Sequence, residues 1–127
     1  SGSGNLEVVK YLVDMKANIE ARNRDGNTPL IFGSRSGNLE VVKYLVHMKA
    51  DVNASSRDGD TPLILGSGSG NLEVVKYLVD MNANIEARNR DGNTPLMESS
   101  SAGHLKIVKY LIHINANAEA ENRYGRT

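Results

Sequence analysis

The stretch Asp25-Gly26-Asn27-Thr28-Pro29-Leu30 returns as Asp58-Gly59-Asp60-Thr61-Pro62-Leu63 and again as Asp91-Gly92-Asn93-Thr94-Pro95-Leu96, on a step of 33 residues both times. Longer blocks beginning at Asn5, Asn38, Asn71 and His104 lie on the same step. A fixed period of this size marks a solenoid, in which each unit contacts only its neighbours and the array grows along one axis. Such an array offers extended surfaces rather than catalytic pockets.

Within one copy, Asp25-Gly26 suits the tip of a hairpin-like turn, because glycine reaches positive φ without a Cβ clash. Thr28 stands where an N-cap belongs, and Pro29 takes the first helical position, where its missing N–H costs nothing. This predicts a short helix through about Ser36, stopped at Gly37. Asn38 then caps a second helix, with Glu40 near the positive end of its dipole. Leu39, Val42, Leu45 and Val46 recur at three- and four-residue steps and form an apolar stripe, which Val41 and Tyr44 widen. Ala50-Asp51-Val52-Asn53 leads back to the next turn. The unit is helix, tight turn, helix, long loop, and it buries its apolar face only by stacking on a neighbour.

At this point the chain resembles the ankyrin-repeat family. The matching residues are Gly-x-Thr-Pro-Leu (26–30, 59–63 and 92–96), the Gly-Asn/His-Leu-x-x-Val-x-x-Leu run (37–45 and its copies) and Ala50-Asp51-Val52-Asn53-Ala54. The resemblance covers essentially the whole chain. It implies an all-α solenoid of stacked helix-turn-helix units with hairpin-like loops: a partial repeat at 1–24, full repeats at 25–57, 58–90 and 91–123, and the start of another at 124–127.

Three departures from the family pattern stand out. The histidine that usually follows Thr-Pro-Leu is replaced by Ile31, Ile64 and Met97, so the turn network must be satisfied in another way. The paired alanines of the first helix become Gly33-Ser34, Gly66-Ser67 and Ser99-Ser100. Glycine costs about 1 kcal/mol against alanine in a helix interior, which predicts that the first helix around Gly66 to Gly70 is the softest of the array. Lastly, the left-handed glycine after the second helix becomes Lys16, Lys49, Asn82 and Asn115. Asparagine tolerates that conformation, whereas lysine loses roughly 1 kcal/mol there.

The chain enters mid-repeat and falls one Pro-Leu-x-x-Gly segment short of four repeats. Ser1-Gly2-Ser3-Gly4 aligns with Ser34-Arg35-Ser36-Gly37 in the repeat register, so it reads as native rather than as a linker. Without a polar capping unit, the helix from Asn5 to about Met15 is expected to expose apolar surface. Two expectations follow: a piece of a longer array, which is favoured, or end-to-end self-association. Residues 5–30 differ from 71–96 only at Lys16 against Asn82, as after a recent duplication or by deliberate design, and the uneven Gly/Ser content of the first helices favours a natural origin.

Fifteen basic and fifteen acidic side chains cancel, which argues against nucleic acid as a partner. Tyr11, Tyr44, Tyr77 and Tyr110, each preceded by lysine, would suit a base-stacking platform. Packing between repeats, with the hydroxyl in water, fits them better. Met15, Met48, Met81 and Ile114 are expected to pack at helix ends. There is no cysteine, hence no disulfide framework, thiolate zinc site or cysteine nucleophile, and a cytoplasmic or nuclear setting fits. No apolar run approaches the roughly eighteen residues of a membrane span. His47 and His113 lie two repeats apart, too far to share a metal, and His104 is expected to cap a helix. Neither a catalytic constellation nor a phosphate-binding glycine loop is visible, since the tract from Gly66 lacks a P-loop lysine. No cofactor and no enzymatic activity are expected.

Arg24, Arg57, Arg90 and Arg123 recur immediately before the turn, with Asp25, Asp58 and Asp91 beside them and Arg22 and Arg88 adding to the row. This is either a line of bidentate donors for a partner or a solvated edge whose ion pairs contribute little. In the last copy Tyr124 takes the aspartate position and would make a contact anchor. Partners of ankyrin repeats commonly meet the loop tips and first helices. By resemblance, that concave surface comprises Arg24, Asp25, Asn27, Arg35, Ser36, Arg57, Asp58, Asp60, Ser69, Arg90, Asp91, Asn93, Ser101, Arg123, Tyr124 and Arg126. A folded protein is the expected partner, and a sugar-like polar ligand over Gly68 is an alternative.

Overall fold

The computed structural model describes residues 19–114. The expectations for Tyr11, Met15, Lys16, Asn115, Arg123, Tyr124 and Arg126, for the helix from Asn5 and for packing at the chain ends fall outside the described residues. Among those described there are six helices and no strand, arranged as three pairs: α1 (Pro29–Ser36) with α2 (Leu39–His47), α3 (Pro62–Gly68) with α4 (Leu72–Asp80), and α5 (Pro95–Ala102) with α6 (Leu105–His113). Each pair stacks on the next, α1 on α3 on α5 and α2 on α4 on α6. The first helices pack more closely than the second helices, which bends the stack with the first helices on the inside.

The local chemistry explains each helix start. Thr28, Thr61 and Thr94 are buried in extended conformation, and their hydroxyls accept the N–H of Ile31, Ile64 and Met97 at 3.3, 3.2 and 3.3 Å. Proline follows at the first position each time. Gly37 and Gly103, at φ 76° and 79°, end α1 and α5. The glycine-rich α3 is one residue shorter, ending at Gly68, with the left-handed turn at Gly70 (φ 81°). Lys49 and Asn82 adopt the left-handed conformation that replacement of the family glycine implied, at φ 75° and 71°.

The core runs along the stack as Leu30, Leu63 and Leu96 from the first helices and Val42, Val75, Leu45, Leu78 and Leu111 from the second. Full burial of each leucine or valine contributes about 1.5–3 kcal/mol. The centre of the stripe on α2 is Val41, Val42 and Leu45, while Leu39, Val46 and Tyr44 lie half-buried at its margins. Tyr77 and Tyr110 pack against the core as expected. Met48 and Met81 do not: they sit at helix C-caps and remain exposed, because the chain turns away there.

Ile31, Ile64 and Met97 are buried, so the side chains at the histidine position fill the core. The turn's polar groups are met from elsewhere. Asn23 Oδ1 accepts the N–H groups of Asp25 and Asn27, both at 2.9 Å, and Asn89 Oδ1 those of Asp91 and Asn93, both at 3.0 Å. In the middle repeat Ser56 Oγ accepts only from Asp60, at 3.3 Å.

Candidate functional site: the loop tips and an acidic recess over Gly68

Each tip closes by a glycine N–H donating to a carbonyl three residues back: Gly26 to Asn23 at 3.0 Å, Gly59 to Ser56 and Gly92 to Asn89, both at 2.9 Å. Successive tips are tied main chain to main chain. Arg57 N–H donates to the Asp25 carbonyl at 3.0 Å, and Arg90 N–H to the Asp58 carbonyl at 2.9 Å. A Cβ at Gly26 would stand 2.9 Å from Arg57 N, so glycine is required there both for φ 78° and for the approach of the next repeat. Because backbone groups carry this ladder, the side chains of Arg24, Asp25, Arg57, Asp58, Arg90 and Asp91 remain exposed along one edge.

Arg35, Ser36, Ser69 and Ser101 are exposed at the ends of the first helices, and Asp60 and Asn93 are half-buried. Asn27 is buried, only 8 % exposed: it belongs to the turn framework and not to an open contact surface. Arg22 and Arg88 stay exposed but are engaged within the turn framework. Their guanidinium groups donate to their own turns, Arg22 to the Gly26 carbonyl and Arg88 to the Gly92 carbonyl, both at 2.8 Å. Arg22 further reaches the Ser55 carbonyl of the next repeat.

A polar recess lies between the second and third described repeats. About 390 Å³ in volume, it is lined by residues including Asp58, Asp60, Gly68, Ser69, Arg90, Asp91 and Glu98. Gly68 opens its floor: a Cβ there would stand 3.6 Å from Glu98 Cβ and Oε1. Asn89 Nδ2 joins the two inner carboxylates, donating to Asp60 Oδ1 at 3.0 Å and to Glu98 Oε2 at 3.2 Å. Asn93 Nδ2 donates to the same Glu98 oxygen at 2.8 Å. Burial pushes the Asp60 carboxyl above the usual aspartate range. The Asn89 hydrogen bond pulls it back, and the charges of Glu98, Asp58 and Asp91 add to the rise. The recess therefore favours added positive charge.

Glu98 was not among the residues singled out from the sequence. Its signal was present: the same register position is Phe32 and Leu65 in the preceding repeats, so an apolar site becomes a carboxylate in one copy only. His104 was expected to cap α6, but its side chain makes no cap bond. Its Nε2 lies 3.1 Å from the Gly68 carbonyl, closing the end of α3 from the next repeat. Asn71 behaves alike, donating to the Ser34 and Arg35 carbonyls at 2.9 and 3.2 Å. Among the described residues no group of three or more His, Cys, Asp and Glu is placed to hold a metal, and no helix is long and apolar enough to cross a membrane.

Helix pairs stacked in one direction, with tight tips tied edge to edge and polar side chains left outward, define an all-α repeat protein. Family models agree: residues 49–122 match one described as ankyrin repeats (3 copies) and residues 1–46 one described as ankyrin repeats (many copies). The chain belongs to the ankyrin-repeat family, whose members are generally non-catalytic modules that bind protein partners. No curated protein matches the sequence.

Proposed function

We propose that the chain is a non-catalytic recognition module that binds a folded protein through its loop tips and first helices, with an arginine or lysine of the partner seated in the recess over Gly68. The observation that carries this reading is the recess itself. It joins four carboxylates to a floor without side chain, beside tips whose own backbone is already satisfied. A guanidinium entering the recess would meet the carboxylates of Asp58, Asp60, Asp91 and Glu98, and charge-assisted hydrogen bonds of that kind are the strong ones. Arg24, Arg57 and Arg90 would then contact acidic groups around that anchor, giving orientation more than affinity.

Quantitative affinity capture tests this with three forms of the chain. Glu98→Gln keeps the acceptor for Asn89 and Asn93 but removes the charge. Arg57→Glu with Arg90→Glu reverses the tips. Partners recovered by the unchanged chain should be depleted about tenfold by Glu98→Gln, the range expected when an anchoring charged pair is lost, and less by the tip reversal. Equal recovery by all three forms would discard the concave surface as the binding face.

A further inference from the structure

The groove between α4 and α6 differs from its counterpart one repeat earlier in a way that the concave surface does not explain. Both grooves share one frame. Lys43 Nζ lies 5.9 Å from the Tyr77 ring centroid, and Lys76 Nζ lies 5.9 Å from that of Tyr110. A lysine held over an aromatic face is attracted by its quadrupole and restrained in place. In the earlier groove the remaining charged positions are Glu73 and Asp80, which balance Lys43 and Lys76. Their register equivalents on α6 are Lys106 and His113. The later groove, about 400 Å³, is lined by Leu72, Lys76, Lys106, Lys109, Tyr110 and His113, with no carboxylate in its lining.

We propose that the groove between α4 and α6 is a second binding site, taking a phosphorylated serine or threonine side chain of a protein partner. Three lysines around one small space suit a compact anion of high charge. A phosphate monoester carries about −1.5 to −2 charges at neutral pH and three strong acceptor oxygens. Each lysine presents three rotatable donors as a point charge. Burial, with a further contribution from the Asp80 charge, raises the Tyr110 hydroxyl above its usual range, so it stays a proton donor toward the bound anion. Leu72 offers an apolar contact for the residue that bears the phosphate.

A linear polyanion fits less well. Leaving the groove along the second helices, it would meet Glu73, Asp80 and Glu40, and the chain as a whole has no net positive charge. A single phosphate needs only the groove.

Binding to immobilised degenerate peptide pools, centred on phosphoserine or on serine, tests the site at low ionic strength. The unchanged chain should prefer the phosphoserine pool by about tenfold, as expected of charge-assisted bonds to a dianion. That preference should shrink as salt rises. Lys106→Glu with His113→Asp restores the side chains found at the equivalent positions of α4, and so should fold with an unchanged melting midpoint while losing the preference. Lys43→Glu and Glu98→Gln should keep it, which separates this site from the concave one. Absence of any preference, or its survival in the Lys106→Glu, His113→Asp form, would overturn the proposal. So would capture of phosphatidylcholine vesicles containing phosphoinositide through the same lysines while the phosphoserine pool is ignored.

Discussion

The junction between the first and second described repeats and the junction between the second and third share one main-chain design and differ in what they present. Both are tied at the tips by an arginine N–H on an aspartate carbonyl, at 3.0 and 2.9 Å. In both, a side chain at the start of the next second helix closes the first helix before it, Asn71 in one and His104 in the other. Around these ties the earlier junction carries Leu65 where the later one carries Glu98, and an outer groove with balanced charges. The later junction shows an acidic recess on one side and a lysine-lined groove on the other. Backbone bonds and buried threonine caps carry the stack, so the side chains at positions such as 98, 106 and 113 are free to differ between copies.

The contrast is broken most severely at the shared ties. Gly37 and Gly70 both have positive φ, and a Cβ on either would stand 2.5 Å from Asn71 Oδ1 or 2.7 Å from His104 Cε1. Gly37→Ala and Gly70→Ala should each cost about 2 kcal/mol, from left-handed strain plus loss of the closing contact. Denaturant unfolding measures this, and a loss under half that size at both sites would show that the ties matter little.

Next come the inner-face serines. Ser34 and Ser67 are fully buried with no partner for the hydroxyl, whereas Ser99 Oγ donates to the Leu96 carbonyl at 3.0 Å. Ser34→Ala and Ser67→Ala should therefore stabilise by about 1 kcal/mol each, and Ser99→Ala should not. The same sign for all three in thermal unfolding would refute the distinction. Of comparable size, Lys49→Gly should raise stability by roughly 1 kcal/mol, with a smaller gain for Asn82→Gly, since asparagine already tolerates positive φ. An unchanged midpoint for the lysine variant counts against the argument.

A subtler difference is pH-dependent. The register position of Asp60 is asparagine in the other two full repeats, Asn27 and Asn93. Because the Asp60 carboxyl is raised on folding, its ionisation opposes folding at every pH above that raised value. Asp60→Asn should thus stabilise near neutrality. The gain should fade as pH drops through the raised value and vanish below the ordinary aspartate pKa of about 3.9. A gain independent of pH would locate its cause elsewhere. Smallest of all is the local softness of α3. Its amides should exchange faster than those of α4, and equal protection would remove the role assigned to Gly66 and Gly68.

Much of this was legible residue by residue. The Thr-Pro-Leu caps depend on a side chain reaching three residues along its own backbone, and local spacing reveals such bonds. The left-handed Lys49 and Asn82 follow from register alone. Bonds that cross from one repeat to the next were read less well. Asn71 and His104 look like caps in sequence because their type and position suit one, yet the neighbouring helix end offers carbonyls with acceptor capacity left, which compete for them. Arg22 and Arg88 look like surface donors until the glycine carbonyls they brace are seen. Asn27 looks exposed because asparagine usually is, but the turn folds over it.

The 33-residue period by itself determined the architecture: an all-α stack whose units must pack on one another, because a single amphipathic helix pair cannot cover its own apolar face. Only the tertiary structure decided which polar side chains meet. Asp60, Asn89 and Glu98 converge, as do Lys76, Lys106 and Lys109, because stacking brings together residues about one repeat apart. Charge and desolvation depend on distance through space, which a period along the chain does not specify.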